Sequence, residues 1–304
     1  MMNEDILLEK TLEIAENQGY KLAYEYLLDN QDALGKGDYQ AVWYFLCCLA
    51  SGAGDYEAAI GHLGKSVEEY GYWYRPEVLE DDDLIPIMEN QEFIRLKNIS
   101  DNRYNEALNQ SKTSWTWKSK EKSNILLSLH GNGQTAEISK NTWKQLEYSD
   151  LQIETLQSHT VDSYKRFRWN YDEVDYKQIN DCISHIQWED YEHKYLAGFS
   201  AGCDMILRAI TLTDITCDEI LLQSPWIPFI NENLQRIIDK FKEKQISVYI
   251  YCGELDLDCK EMAKNLYDSM KKNDVKVNIT WQQDLRHQFP EKLGREYHVM
   301  GGIS

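Results

Sequence analysis

The stretch Tyr195-Leu196-Ala197-Gly198-Phe199-Ser200-Ala201-Gly202 decides the fold. A short apolar run stops at a glycine, turns through a serine and leads at once into helical periodicity over residues 201–211. In a strand–turn–helix setting the Gly-x-Ser-x-Gly pattern carries meaning, because the serine then stands on a strained corner with its hydroxyl exposed. Side chains at Gly198 and Gly202 would crowd such a corner. The helix behind it offers free backbone N–H groups and a positive dipole end. The same five residues also arise by chance as a plain turn, so their reading depends on what surrounds them.

Around this corner, short apolar runs alternate with helical stretches. Runs at 124–129, 151–156, 194–197, 219–223, 246–252 and 275–280 read as strands. Helical periodicity falls at 174–186, 201–211, 231–242, 259–272 and 290–300, and the polar stretch 101–122 holds one candidate edge strand at 111–117. Such alternation builds a doubly wound, mainly parallel sheet covered by helices on both faces, with its sites at the C-terminal ends of the strands. The expectation is an α/β domain over residues 101–304.

Three further signals stand at strand ends. Leu127-Ser128-Leu129-His130-Gly131-Asn132-Gly133-Gln134 closes the first strong strand with a glycine-rich turn. Its backbone N–H groups can face a developing oxyanion, with the N–H of Ala201 as partner donor. A phosphate-binding loop is the rival, but neither G-x-G-x-x-G nor G-x-x-x-x-G-K-[ST] is present. Gly253-Glu254-Leu255-Asp256 follows the run at 246–252, where an aspartate can accept the Nδ1 hydrogen of a histidine and fix its tautomer. Glu254 and Asp258 compete for that role, and Asp258 is also read as the cap of the helix beginning at Cys259. Arg286-His287-Gln288-Phe289-Pro290 follows the last strand, where His287 can reach across the top of the sheet. Nothing around His62, His159, His185, His193 or His298 suggests ligation. No His/Cys/Asp cluster has metal-ligand spacing in the sequence, so neither a metal nor a cofactor is expected.

The first hundred residues have a different texture. They hold 20 acidic and 7 basic side chains, a net of −13, against −6 for the other 204. Ile6, Leu7, Leu8, Leu12 and Ala15 recur at helical spacing up to Gly19, and Leu22, Ala23, Tyr26 and Leu27 follow on a second face. Val42–Leu49, a Gly52-Ala53-Gly54 turn and Tyr56–Val67 repeat the arrangement, with Ala23 and Ala59 in register at an offset of 36 residues. Trp43, Leu46, Cys47, Ala50, Gly54, Tyr56, Ala59 and Leu63 resemble the tetratricopeptide-repeat pattern, in which small residues sit where the paired helices cross. A third repeat is read from Tyr74, ending through the acidic turn at 79–87 and Phe93. An ordinary amphipathic bundle gives the same periodicity. The expected domains are thus an all-α, TPR-like segment over 1–100 and the α/β domain over 101–304.

Composition sets the outer limits. The chain has 304 residues, a formal charge of −19 and 42% apolar residues. Such a charge argues against nucleic acid or an anionic membrane surface as the main partner. No apolar run approaches the roughly 20 residues of a membrane span. The acidic start, Met1-Met2-Asn3-Glu4-Asp5, lacks the features of a signal peptide. Seven scattered cysteines without a C-x-x-C pair fit a reducing, cytoplasmic address, with the thiols as small core residues.

Oxyanion turn, Ser200, Asp256 and His287 follow the chain order of the α/β-hydrolases. Residues 122–300 resemble that superfamily, nearest its carboxylesterase, phospholipase and dienelactone-hydrolase branch. Gln157-Ser158-His159 with Arg168-Trp169-Asn170-Tyr171-Asp172 is similar to a loop that borders the acyl pocket in those esterases. The resemblance implies Ser200 as nucleophile, His287 as base and Asp256 as its orienter. It also implies the N–H groups of Asn132 and Ala201 as the oxyanion hole, within a frame of His130, Gly131, Gly133, Gly198 and Gly202. The implied substrate is a small ester or thioester. The helical segment is then a lid, a structural cover or a module for a protein partner. A catalytically silent interaction scaffold is the alternative.

Overall fold

The computed structural model describes residues 4–35, 37–146, 150–293 and 297. They fall into two compact units, residues 1–111 with 161–165, and residues 112–160 with 166–304.

In the first unit, α1 (Glu4–Gln18) and α2 (Tyr20–Asn30) form one pair, and α3 (Gln40–Gly52) and α4 (Tyr56–Gly64) a second. Gly19 parts the first pair at φ +93°, a conformation that costs glycine little and other residues much. Asp55 starts α4 by accepting the Ala58 N–H at 3.1 Å. Helices α1 and α2, α2 and α3, and α3 and α4 pack on one another. Ala23, Ala50 and Ala59 are fully buried, so the small residues of the expected 36-residue offset lie inside. A single π turn at Lys65–Glu69 continues α4.

The stretch from Tyr74 departs from the expected third pair. Pro76 and Pro86 lie in two 3-10 segments, Pro76–Glu80 and Asp82–Ile87, where proline's missing N–H is tolerated. One long helix follows, α5 (Gln91–Gln110), started by Asn90, whose side chain accepts the Glu92 N–H at 2.8 Å. Helix α5 runs through the expected boundary at residue 100, and the units divide at Ser111 instead.

The second unit is built on a seven-stranded sheet. Its strands are β1 (Ser114–Trp115), β2 (Asn124–Leu129), β3 (Leu151–Gln157), β6 (His193–Phe199), β7 (Glu219–Gln223), β8 (Ser247–Gly253) and β9 (Val277–Gln282). Their order is β1-β3-β2-β6-β7-β8-β9. All neighbours are parallel except β1, which pairs antiparallel with β3 at the edge. Ile125, Leu127 and Leu129 join the core on one face, and Leu126 joins the core on the other with Tyr195, Ala197 and Leu221. Burial on both faces explains the consecutive apolar residues Ile125–Leu127 of β2 and Ile220–Leu222 of β7.

Between the strands lie α6 (Ala136–Trp143), α7 (Glu173–His185), α8 (Ala201–Leu212), α9 (Ile230–Glu243) and α10 (Lys260–Lys272). Of the two remaining short strands, β4 (Thr160–Ser163) lies largely in the first unit and β5 (Arg166–Arg168) in the second. All seven cysteines are buried and unbridged, as expected of core thiols. Residues 290–293 are not helical, and the rest of the helix expected at 290–300, His298 included, lies outside the described residues except for Tyr297. No described helix is long and apolar enough to cross a membrane.

Candidate active site

Strand β6 ends at Phe199, and α8 begins at Ala201. Ser200 between them takes φ +50° and ψ −120°, a region where a residue with a Cβ is strained. The strain is held from both sides: the Ser200 N–H donates to the Gln223 carbonyl at 3.0 Å, and the Ser200 carbonyl accepts from the Cys203 N–H at 3.0 Å. A Cβ on Gly198 would lie 2.8 Å from the Cys203 nitrogen, and one on Gly202 would run into the carbonyl oxygens of Leu129 and His130. Both glycines are therefore required by close backbone approach.

The structure brings Ser200, His287 and Asp256 into one hydrogen-bonded chain. His287 Nε2 lies 2.9 Å from Ser200 Oγ, and its Nδ1 lies 3.0 Å from Asp256 Oδ2. An ionised carboxylate only accepts, so Nδ1 carries the hydrogen and Nε2 accepts from the serine hydroxyl. Asp256 is 1% exposed. Burial pushes its carboxyl up, but His287 and the donors Cys259 N–H and Ser224 hydroxyl outweigh burial and hold it below the usual carboxylate range.

The rivals Glu254 and Asp258 are exposed. Asp258 does not cap α10. Cys259 occupies the cap position without a side-chain bond, and Asp256 Oδ1 accepts its N–H at 3.0 Å because the chain turns tightly from Asp256 to Cys259. Asp256, Cys259 and His287 each place a donor atom within 4.8 Å of the others, as do Cys48, Asp81 and Asp83 in the helical unit. The spacing that the sequence lacks is thus produced by folding, and two members of the first group, Asp256 and His287, belong to the hydrogen-bonded chain.

The glycine-rich turn after β2 lies against this corner: a Cβ on Gly131 would sit 3.3 Å from the Ser200 Cβ. His130 is fully buried and stacked on Trp169 at 5.0 Å. Its Nε2 accepts the Ser158 N–H at 3.2 Å, so its Nδ1 carries the hydrogen and donates to the Gly131 carbonyl at 2.7 Å. Burial pushes its pKa down to about 4, so it is a neutral frame for the turn. Gly133, at φ +72°, donates its N–H to the Phe167 carbonyl at 2.8 Å. The Asn132 side chain is engaged at both ends, accepting from the Trp169 N–H at 3.0 Å and donating to the Tyr171 hydroxyl at 2.7 Å. The Ala201 N–H opens α8, where no earlier residue of the helix can accept it.

Several side chains contribute contacts that the sequence alone does not assign. Gln157 Nε2 reaches His130 Nε2 at 3.0 Å, and Trp169 Nε1 donates to the His130 carbonyl at 2.8 Å. The Tyr171 ring lies 5.2 Å from that of Trp226. Phe199 is tilted on His287 at 5.2 Å and stacked on Phe289 at 4.8 Å. Gln157, Trp169 and Tyr171 lie in the segment likened to the esterase loop, and Phe199 and Phe289 lie in the Ser200 and His287 stretches, but Trp226 lies in none of them.

A parallel sheet that presents a serine on a strand–helix corner, beside a histidine and an aspartate from later strand ends, defines the α/β-hydrolase class. The chain has the α/β-hydrolase fold preceded by a helical segment, and residues 3–108 match the family described as the A/B hydrolase-like N-terminal domain. Among solved structures, an uncharacterised protein from Bacillus cereus ATCC 10987 is 26% identical over 95% of this chain and 94% of its own, with a TM-score of 0.52. The Bacillus cereus carboxylesterase is 17% identical over 62% of this chain and 92% of its own, with a TM-score of 0.45. Zea mays acyl-protein thioesterase 2 is 14% identical over 60% and 93%, with a TM-score of 0.42. No curated protein matches the sequence.

Proposed function

We propose that the chain is a serine hydrolase that cleaves a small ester or thioester through an acyl-enzyme. The observation that carries this reading is the unbroken hydrogen-bonded chain from Ser200 Oγ through His287 to buried Asp256. A serine hydroxyl is a weak nucleophile at neutral pH, and His287 is poised to take its proton as the oxygen attacks the carbonyl. Asp256 holds the imidazole in the required tautomer and stabilises the imidazolium that forms. The charge on the tetrahedral intermediate falls to the backbone N–H groups of Ala201 and Asn132. The Asn132 side chain, already engaged, serves to hold its own backbone in place. His287 then protonates the leaving group, and water repeats the sequence on the acyl-serine.

In this reading the acidic helical pairs of residues 1–111 are a repeat-like module for a basic protein partner, and the protein works in the cytoplasm. Initial rates on p-nitrophenyl esters and acyl thioesters test the chemistry. The wild type should turn over at least one class, Ser200→Ala none, and Asp256→Asn should lose roughly 10⁴-fold in kcat with KM little changed. Wild-type turnover that survives Ser200→Ala would contradict the proposal.

A further inference from the structure

We infer that Gln223 is a positioning residue that ties the serine corner, the histidine loop and the aspartate into one rigid unit. This inference rests on the proposed hydrolase reading. Gln223 ends β7, the strand beside the serine corner, and it is fully buried. Its carbonyl accepts the Ser200 N–H at 3.0 Å and so holds the strained corner. Its side-chain Nε2 donates to the carbonyl of Gln288, the residue after His287, at 3.1 Å. The same nitrogen lies 3.1 Å from Ser224 Oγ, and the Ser224 hydroxyl is hydrogen-bonded to Asp256. A single residue thus reaches Ser200 through its backbone, His287 through the carbonyl of the following residue, and Asp256 through one serine.

The remaining bonds hold this amide in one orientation. Gln223 Nε2 also lies 3.0 Å from Gln282 Oε1 at the end of β9. Its Oε1 accepts from the Tyr297 hydroxyl, which in turn accepts from Gln282 Nε2 at 2.5 Å. Burying a primary amide is costly unless its hydrogens and oxygen find partners, and a satisfied buried network fixes geometry more sharply than apolar packing does. The loop that carries His287 has no regular secondary structure over 286–293, and this bond fastens it to the end of β7 beside the imidazole.

The test compares Gln223→Met with Tyr297→Phe in the full chain. The methionine keeps the volume but removes the donors to Gln288 and Ser224. The phenylalanine cuts the same network on the side away from His287 and reports its purely structural share. Two readouts are taken below the melting temperature of both variants: the downfield proton resonance of His287 Nδ1–H, and the second-order rate of fluorophosphonate acylation.

Gln223→Met should broaden or lose the resonance and slow acylation by roughly 10- to 100-fold, the scale of a misplacement of about 1 Å. It should also lower kcat on an ester with KM little changed. Tyr297→Phe should keep the resonance and an acylation rate within about threefold of wild type, the range of a surface-like loss of about 0.6 kcal/mol. If Gln223→Met does not fold, Gln223→Leu, which also lacks any side-chain donor, should show the same losses. A resonance and rate left intact by loss of the Gln223 donors would overturn the inference, and so would equal losses in Tyr297→Phe. A wild type that shows the resonance but does not label would refute the hydrolase reading, while the resonance still decides the role of Gln223.

Discussion

At Ser200 the backbone is held at φ +50°, where a non-glycine residue stores about 1–3 kcal/mol. The strain exposes the hydroxyl, so it belongs to the chemistry rather than to stability. Ser200→Gly should therefore be more stable than Ser200→Ala by about 1 kcal/mol in chemical denaturation, while both are inactive. Equal stability would mean that the corner is relaxed. Gly202→Ala should do the opposite. Its methyl would meet two backbone carbonyls that cannot move aside, and stability should fall by about 1–3 kcal/mol. His130 makes a third prediction. Its folded pKa of about 4 lies below the ordinary 6.5 because burial disfavours the charged ring. The unfolded chain therefore binds the proton first. The stability tied to the neutral ring is full above pH ~6.5 and is lost as pH falls toward ~4, by about 3 kcal/mol in all. A His130→Gln variant should show a shallower acid slope in that window, and an unchanged slope would contradict the assignment.

At the scale of elements, helix α5 depends on its start. Asn90 accepts from the Glu92 and Phe93 N–H groups, and Asn90→Ala should lower the stability of the helical unit by about 1 kcal/mol, read by thermal melting. Elements with long periodic patterns were legible in the sequence. The runs at 124–129 and 219–223 match β2 and β7 residue for residue, because strands buried on both faces carry consecutive apolar residues, here Ile125–Leu127 and Ile220–Leu222. Helix α6 was not legible. It has only eight residues, and its start rests on the Thr135 side chain accepting the Ile138 N–H, a cap that no long apolar stripe announces. Strands β4 and β5, of four and three residues, are too short to show alternation. The cap assigned to Asp258 failed for a tertiary reason, since the turn that buries Asp256 also moves the helix start to Cys259.

At the scale of the whole chain, the site is a property of strand order. Ser200 and His287 are 87 residues apart, and His287 and Asp256 are 31 apart. They meet because β6, β7, β8 and β9 lie side by side and parallel, so that all four release their chains at the same edge. Chain order and motif therefore pointed to Ser200, Asp256 and His287, since each stands just past a strand end. Gln223 and Ser224 carry no motif, and only packing reveals them.

The central claim is that His287 activates Ser200. Intact-mass labelling with a fluorophosphonate tests it most directly, on the wild type, Ser200→Ala and His287→Ala. The account predicts a single adduct on the wild type, none on Ser200→Ala, and labelling slowed by at least about 10²-fold on His287→Ala. An adduct that persists in Ser200→Ala, or a wild type that stays unlabelled, would contradict it.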